Sequence, residues 1–172
     1  MLVLLALAAA LSAAAAQAKT PIPAKAEGSG SEPTSGGGTM AGESISPKFA
    51  VALLDVTFDQ LEVYLFTRKV ACNDVAFAKT PFVDVIVDSQ GAPVRIGTPS
   101  LQNGHAFVQV EFHPTKGSKY YAIQPGASIT FTRADPAKNG VWHGKLAVKR
   151  QTFEGKVFAY DGTFAATWCG KN

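Results

Sequence analysis

The residues best suited to chemistry in this sequence are its three histidines, because imidazole is the commonest protein ligand for transition metals. Glu111 and His113 are two positions apart in an alternating segment, so an extended strand would place both side chains on one face, about 7 Å apart. A third ligand would have to come from another strand, and His143 is the candidate. His105 is excluded, because more than about 25 Å of extended chain would separate it from His113. Glu111, His113 and His143 are therefore the candidate ligands of a metal site, with ordinary surface histidines as the alternative.

Motifs of known catalytic sites are absent from the sequence. It contains no G-x-S-x-G, no H-E-x-x-H and no P-loop pattern. Asp84 and Asp88 would lie about 13 Å apart on one strand face, beyond the ~5–9.5 Å of paired glycosidase carboxylates. Asp55, Asp59 and Glu62 flank a predicted turn and could bind calcium, although acidic turns are usually only solvated. We therefore predict a protein that is not an enzyme and has no cofactor.

Cys72 and Cys169 are the only cysteines, and we predict that they form one structural disulfide. Such bridges persist in oxidising compartments, which agrees with the apolar N-terminal run that precedes them. A redox-active pair is the alternative, but active dithiols usually lie close together in sequence, as in C-x-x-C.

A basic surface is the second candidate site. The net charge of +3 is too small for a nucleic-acid-binding protein, which needs clustered basic charge over one face. Lys145, Lys149 and Arg150 nevertheless come close together in the last third of the chain, and Tyr120 follows a polar segment. We predict that these four residues contact a protein or an acidic polysaccharide; the alternative is an ordinary solvated face.

The elements that would position these residues are strands, because apolar residues recur at every second position in most of the chain. The clearest alternating segments are residues 61–65, 83–87, 106–112 and 129–131. Short turn signals separate eight or nine such strands, a spacing typical of an antiparallel β-sandwich of the immunoglobulin-like kind. A closed β-barrel is the alternative. Trp142 and Trp168 are expected in the core.

The end of the chain predicts a β-hairpin. Residues 156–160 and 163–168 alternate, and Asp161-Gly162 between them is typical of a type I′ turn. Helical signals are few, and only residues 73–78 suggest a single turn.

The sequence divides into three parts. Residues 1–18 consist of an apolar run followed by the small-x-small pattern Ala16-Gln17-Ala18. This arrangement predicts a signal peptide and no transmembrane segment in the mature protein. Half of residues 19–46 are Gly, Pro or Ser, which predicts a flexible linker. Residues 47–172 would form the domain. We predict a secreted, periplasmic or cell-surface module that binds a protein or polysaccharide partner; the alternative is an exported metal-binding protein.

Overall fold

The computed structural model describes residues 34–77, 81–88, 107–114, 121–123, 126–137 and 139–171. The predicted signal peptide, the first part of the predicted linker and Tyr120 lie outside these ranges. The described chain forms ten strands and one short 3₁₀ helix, Cys72–Phe77. The strands are β1 (Ser35–Met40), β2 (Glu43–Ile45), β3 (Phe49–Asp55), β4 (Gln60–Phe66), β5 (Phe82–Asp88), β6 (Phe107–His113), β7 (Tyr121–Ile123), β8 (Ala127–Arg133), β9 (Val141–Phe153) and β10 (Lys156–Lys171). Within these ranges, no helix is long and apolar enough to cross a membrane.

All ten strands belong to one hydrogen-bonded sheet. Their order is β2-β1-β10-β3-β4-β5-β6-β7, and β9 and β8 continue from the other edge of β10. The pairings are antiparallel except that of β10 with β3. Phe112 of β6 and Phe131 of β8 nevertheless enter the same buried core, because the sheet curls. The architecture is therefore a curled open sheet around one main core.

The 16-residue strand β10 joins the two parts of the sheet. Its first part pairs with β9 on one edge and β1 on the other, and from Ala166 onward it pairs with β3. Trp142 and Trp168 are buried as expected, and their rings stack with centroids 4.7 Å apart. Since large aromatic side chains dominate the energetics of a core, this contact anchors β9 to the last part of β10.

The all-β class and the four clearest strands are confirmed, as β4, β5, β6 and β8. An immunoglobulin-like sandwich is not confirmed, because a sandwich has two separate sheets and the described strands form one. A closed barrel is not shown either, since no described pairing joins β7 to β8.

The predicted hairpin at Asp161-Gly162 is wrong, because both residues lie within the continuous strand β10. The turn that precedes β10 is at Glu154 and Gly155, whose φ angles of 48° and 71° suit a type I′ turn. Gly162 serves a different purpose. A Cβ at this position would lie 2.6 Å from the Tyr160 hydroxyl oxygen, so glycine here permits a close contact rather than a reversal.

The predicted linker extends too far, because residues 35–45 form strands β1 and β2. Met40 and Ile45 are buried in the main core. Two of the three glycines of β1, Gly36 and Gly38, are required by proximity to β10, since a Cβ at Gly38 would collide with the carbonyl oxygen of Ala159 and one at Gly36 with the backbone of Asp161. A glycine-rich composition, which usually indicates a flexible segment, here permits two backbones to lie close together.

The predicted disulfide between Cys72 and Cys169 is present, and it lies on the outer face of the sheet. It connects the 3₁₀ helix to β10. Val75 of this helix is buried against Val51 and Phe66 in a second, smaller apolar cluster. The segment that links β4 to β5 is thus attached to the sheet covalently and by packing.

A methyl group added at Gly144 should destabilise the fold. Its Cβ would collide with the ring of Phe164, directly opposite on β10, and with the carbonyl oxygen of Thr130. We expect Gly144→Ala to lower the free energy of unfolding by about 1–3 kcal/mol, as overpacking does. Gly37→Ala is the control, because the nearest atom to its Cβ is the Ile45 carbonyl oxygen at 3.2 Å. Equal losses of unfolding free energy in Gly144→Ala and Gly37→Ala, measured by denaturant unfolding, would contradict this explanation.

Loss of the disulfide should also be costly. Its cysteines are 97 positions apart, so the bridge closes most of the domain into one loop. We expect the Cys72→Ala, Cys169→Ala double variant to lose up to about 4–5 kcal/mol of unfolding free energy, because its unfolded chain gains conformational entropy. Urea unfolding of this variant and of thiol-reduced wild-type protein should give similar midpoints. An unchanged midpoint in both would show that the bridge contributes nothing.

Candidate metal site on the outer face of the sheet

A row of polar side chains crosses three neighbouring strands on the outer face. Tyr64 of β4 is directly opposite Asp84 of β5, and Asp84 is directly opposite Glu111 of β6. The alternate residues of these strands, such as Val63 and Val85, point into the main core. Since directly opposed side chains start about 5 Å apart, the register of the sheet brings the three polar groups together.

His113 lies next to this row, on the same face of β6. Its ring stacks on Phe82 of β5, with centroids 4.3 Å apart and planes 8° from parallel. Its Nε2 atom is 3.1 Å from the Glu111 carboxylate. The stacked ring and this contact hold the imidazole beside the two carboxyl groups of the row.

Asp84, Glu111 and His113 form a group that could bind a metal ion. Each offers one ligand atom, and these atoms lie within 4.8 Å of one another. Ligand atoms about 2.0–2.2 Å from a shared metal are separated from one another by about 3–4 Å. Small side-chain movements would therefore bring all three atoms to coordination distance. Carboxylate oxygens and an imidazole nitrogen together suit a divalent transition metal.

Asp84 is the most buried member of the group, with only 6% of its surface exposed. Its Oδ1 atom is buried without a hydrogen-bond partner. Burial raises the pKa of Asp84 well above its ordinary value, and the charges of Glu62 and Glu111 raise it further, while Tyr64 opposes this shift. An unpartnered buried carboxyl oxygen costs free energy, and a cation would remove that cost.

Glu62 adds a third carboxyl group beside the row. The Tyr64 hydroxyl donates a hydrogen bond to Glu62 Oε2, at 2.5 Å. Burial raises the pKa of Glu62, the hydrogen bond from Tyr64 lowers it, and Asp55 and Glu111 add smaller upward shifts. Burial also raises the pKa of Tyr64, which keeps this phenol a hydrogen-bond donor. The three acids therefore repel one another in a half-buried site, an arrangement that favours a bound cation.

Glu111 is held at both of its carboxylate oxygens. Gln109 donates to Oε1 at 2.6 Å, and His113 lies at Oε2. Hydrogen bonds of this kind orient ligands in metal sites. The site therefore includes an outer contact that positions one of its ligands.

The structure brings Glu111 and His113 together, as predicted, but it does not add His143. That residue is on β9, which pairs with β8 and β10 and with neither β5 nor β6. Asp84 takes the place of His143, and sequence reasoning missed it. An acid among the valines of β5 was a signal, but only the strand register shows which residues it faces.

The predicted basic surface is only partly described. Lys145, Lys149 and Arg150 are exposed on β9. Lys145 and Lys149 lie on one face of the strand, and a register shift with β10 places both Lys149 and Arg150 opposite Ala159, where the alternation is interrupted. Lys145 pairs with Asp161 at 3.2 Å, so its charge is partly balanced. Tyr120 lies outside the described residues. A binding role for these residues stays a prediction.

The acidic turn between β3 and β4 has a structural role. Asp55 Oδ1 accepts hydrogen bonds from the backbone N–H groups of Thr57 and Phe58, at 2.7 and 3.3 Å. Glu62 is engaged by Tyr64, as described above. These contacts explain the acids of the turn without a bound ion, and calcium binding by the turn stays a prediction.

Comparison with known proteins adds no functional information: no family model, no curated protein and no solved structure matches this chain. The site geometry therefore carries the functional argument alone.

The acid cluster should make stability depend on pH. Asp84 and Glu62 have raised pKa values in the folded state, so above the ordinary Asp value of 3.8 the folded protein binds more protons than the unfolded chain. The free energy of unfolding is then highest at acid pH and falls as the pH rises toward the raised pKa values. We expect Asp84→Asn to weaken this fall and to be more stable than metal-free wild type at pH 7.

Thermal unfolding between pH 4 and 8 in EDTA measures this effect. Glu43→Gln is the control, because Glu43 is an exposed acid on β2. Its melting profile should follow the wild type. A wild-type melting temperature that rises relative to Asp84→Asn on going to neutral pH would contradict the role of Asp84.

Proposed function

We propose that this protein is an exported, non-catalytic β-domain that binds a divalent transition metal ion through Asp84, Glu111 and His113. One observation carries the proposal: three ligand atoms from two neighbouring strands lie within 4.8 Å of one another. The buried, unpartnered Oδ1 atom of Asp84 supports it, because a buried carboxyl oxygen without a donor is stabilised by a cation.

The ligand set favours particular metals. Two carboxylates and one imidazole suit Zn²⁺ and Mn²⁺, whereas Ca²⁺ and Mg²⁺ prefer oxygen ligands throughout. Three protein ligands leave further coordination positions for water or for a group from a binding partner. A metal-dependent contact would reconcile this site with the binding module that the sequence predicts.

Export is part of the proposal. The disulfide between Cys72 and Cys169 is typical of oxidising compartments, and the sequence of residues 1–18 suggests a signal peptide. These features favour a secreted, periplasmic or cell-surface location. The immunoglobulin-like sandwich that the sequence predicts stays a proposal for the fold.

A protein or acidic polysaccharide partner at Lys145, Lys149, Arg150 and Tyr120 is the second candidate. The shared exposure of Lys145 and Lys149 on one face of β9 favours it. We rank it below metal binding, because Asp161 partly balances Lys145 and surface charges are common on exposed strands.

Metal titration tests the main proposal. After EDTA treatment and dialysis, the oxidised protein should bind one Zn²⁺ or Mn²⁺ by isothermal titration calorimetry. A metal at 100 times its dissociation constant should add about 2.7 kcal/mol to the unfolding free energy, and EDTA should reverse this. We expect His113→Ala and Asp84→Asn each to weaken binding at least about ten-fold, because each loses a direct ligand.

Two variants serve as controls. His143→Gln removes the histidine on β9, and Glu43→Gln removes an exposed acid; both should bind metal like the wild type. Circular dichroism establishes that all four variants fold. Unchanged affinity in His113→Ala and Asp84→Asn would contradict the proposal, as would loss of binding in His143→Gln alone.

A further inference from the structure

A second polar pair lies on the outer face, at the other part of the sheet. Arg133, the last residue of β8, is directly opposite His143 of β9, and Ala165 of β10 continues the same row. A register shift between Phe131 and Arg133 produces this pairing. Because the neighbouring Trp142 points into the core, His143 and Arg133 point away from it.

Both members of this pair have a buried nitrogen without a hydrogen-bond partner. His143 is 6% exposed, and its Nδ1 atom is one of these atoms. The Nε atom of Arg133 is the other. A guanidinium N–H always donates and is always charged in proteins, so its burial without an acceptor is unfavourable.

The acids near the pair are occupied elsewhere. Asp135 Oδ1 accepts a hydrogen bond from the backbone N–H of Ala137, at 3.1 Å. Asp161 pairs with Lys145. On the Ala165 side, the Thr34 hydroxyl bonds to the backbone N–H and carbonyl of Ala165. None of these four contacts involves the side chain of Arg133 or His143.

We propose that Arg133 and His143 form a binding site for an oxyanion, such as sulfate, phosphate or a carboxylate. The planar guanidinium presents N–H groups in a fork that matches two anion oxygens. The imidazole can donate from Nδ1 to the same anion. Lys145, two residues from His143 on the same face of β9, adds positive charge.

This inference is independent of the metal site. The two sites use different strands, and loss of one should leave the other intact. An oxyanion group is also the part of an acidic polysaccharide that a protein recognises, so the site would supply a specific contact on the predicted basic face.

Thermal unfolding in sulfate, phosphate and acetate tests the proposal, with sodium chloride at the same ionic strength as the reference. Sulfate and phosphate stabilise many proteins without binding to a site, so the comparison must be made with a variant. Arg133→Met removes the guanidinium and keeps a side chain of similar length. We expect the wild type to gain several degrees more than Arg133→Met in at least one of the three anions.

NMR of the histidine side chains gives the affinity and the place of binding. In titrations with the same anions, the imidazole signals of His143 should shift with saturation, and Arg133→Lys should weaken binding at least five-fold. Arg68→Gln is the control, because Arg68 is an exposed arginine in the segment that follows β4, away from β8 and β9 in the chain. It should bind like the wild type.

The outcomes are distinct. Saturation by acetate alone assigns the site to carboxylates, and saturation by sulfate or phosphate assigns it to tetrahedral oxyanions; both support the proposal. Equal melting shifts in wild type and Arg133→Met, or His143 shifts that sodium chloride reproduces, would overturn it. Unchanged affinity in a folded Arg133→Lys variant would overturn the role of the guanidinium fork.

Discussion

The structure depends on the pairing of β10 along both of its edges. This strand has 16 residues, and its neighbours on one edge change from β1 to β3 near Ala166. A strand this long can belong to both parts of a curled sheet only if its partners come close without clashes. Gly162 on β10, Gly38 on β1 and Gly144 on β9 provide that space. The Tyr160 hydroxyl lies next to Gly162, and the ring of Phe164 lies against Gly144 on the opposite strand.

The disulfide and the proposed metal site are connected through packing. Tyr64 and Phe82 flank the apolar cluster that Val75 and Phe66 form beneath the 3₁₀ helix. The same Tyr64 bonds to Glu62, and the same Phe82 stacks on His113. The segment fixed by the disulfide thus supports the residues that orient the site. A preorganised ligand set is the expected result, because ligands held by packing lose less entropy on binding.

Much of the fold could be predicted from the sequence, and the failures have physical causes. Alternation indicated β4, β5, β6 and β8, because each buries one face. At β1 the glycine-rich composition led to a wrong prediction of a linker, because glycine there permits close backbone contact. At Asp161-Gly162 a dipeptide that usually forms turns lies within a continuous strand. Two of the three proposed metal ligands were predictable, since Glu111 and His113 share a strand. Asp84 was not, because its partners depend on register between strands.

Burial identifies both proposed sites by one criterion. Among the described residues, Asp84 and His143 are the polar side chains that are buried, and both lie on the outer face. Each has a buried atom without a hydrogen-bond partner, although such groups are rare in folded proteins. Apolar residues at these positions would avoid this cost, so stability alone does not explain them. A cation at Asp84 and an anion at His143 and Arg133 would satisfy these atoms, which is why we assign ligands of opposite charge to the two parts of one sheet face.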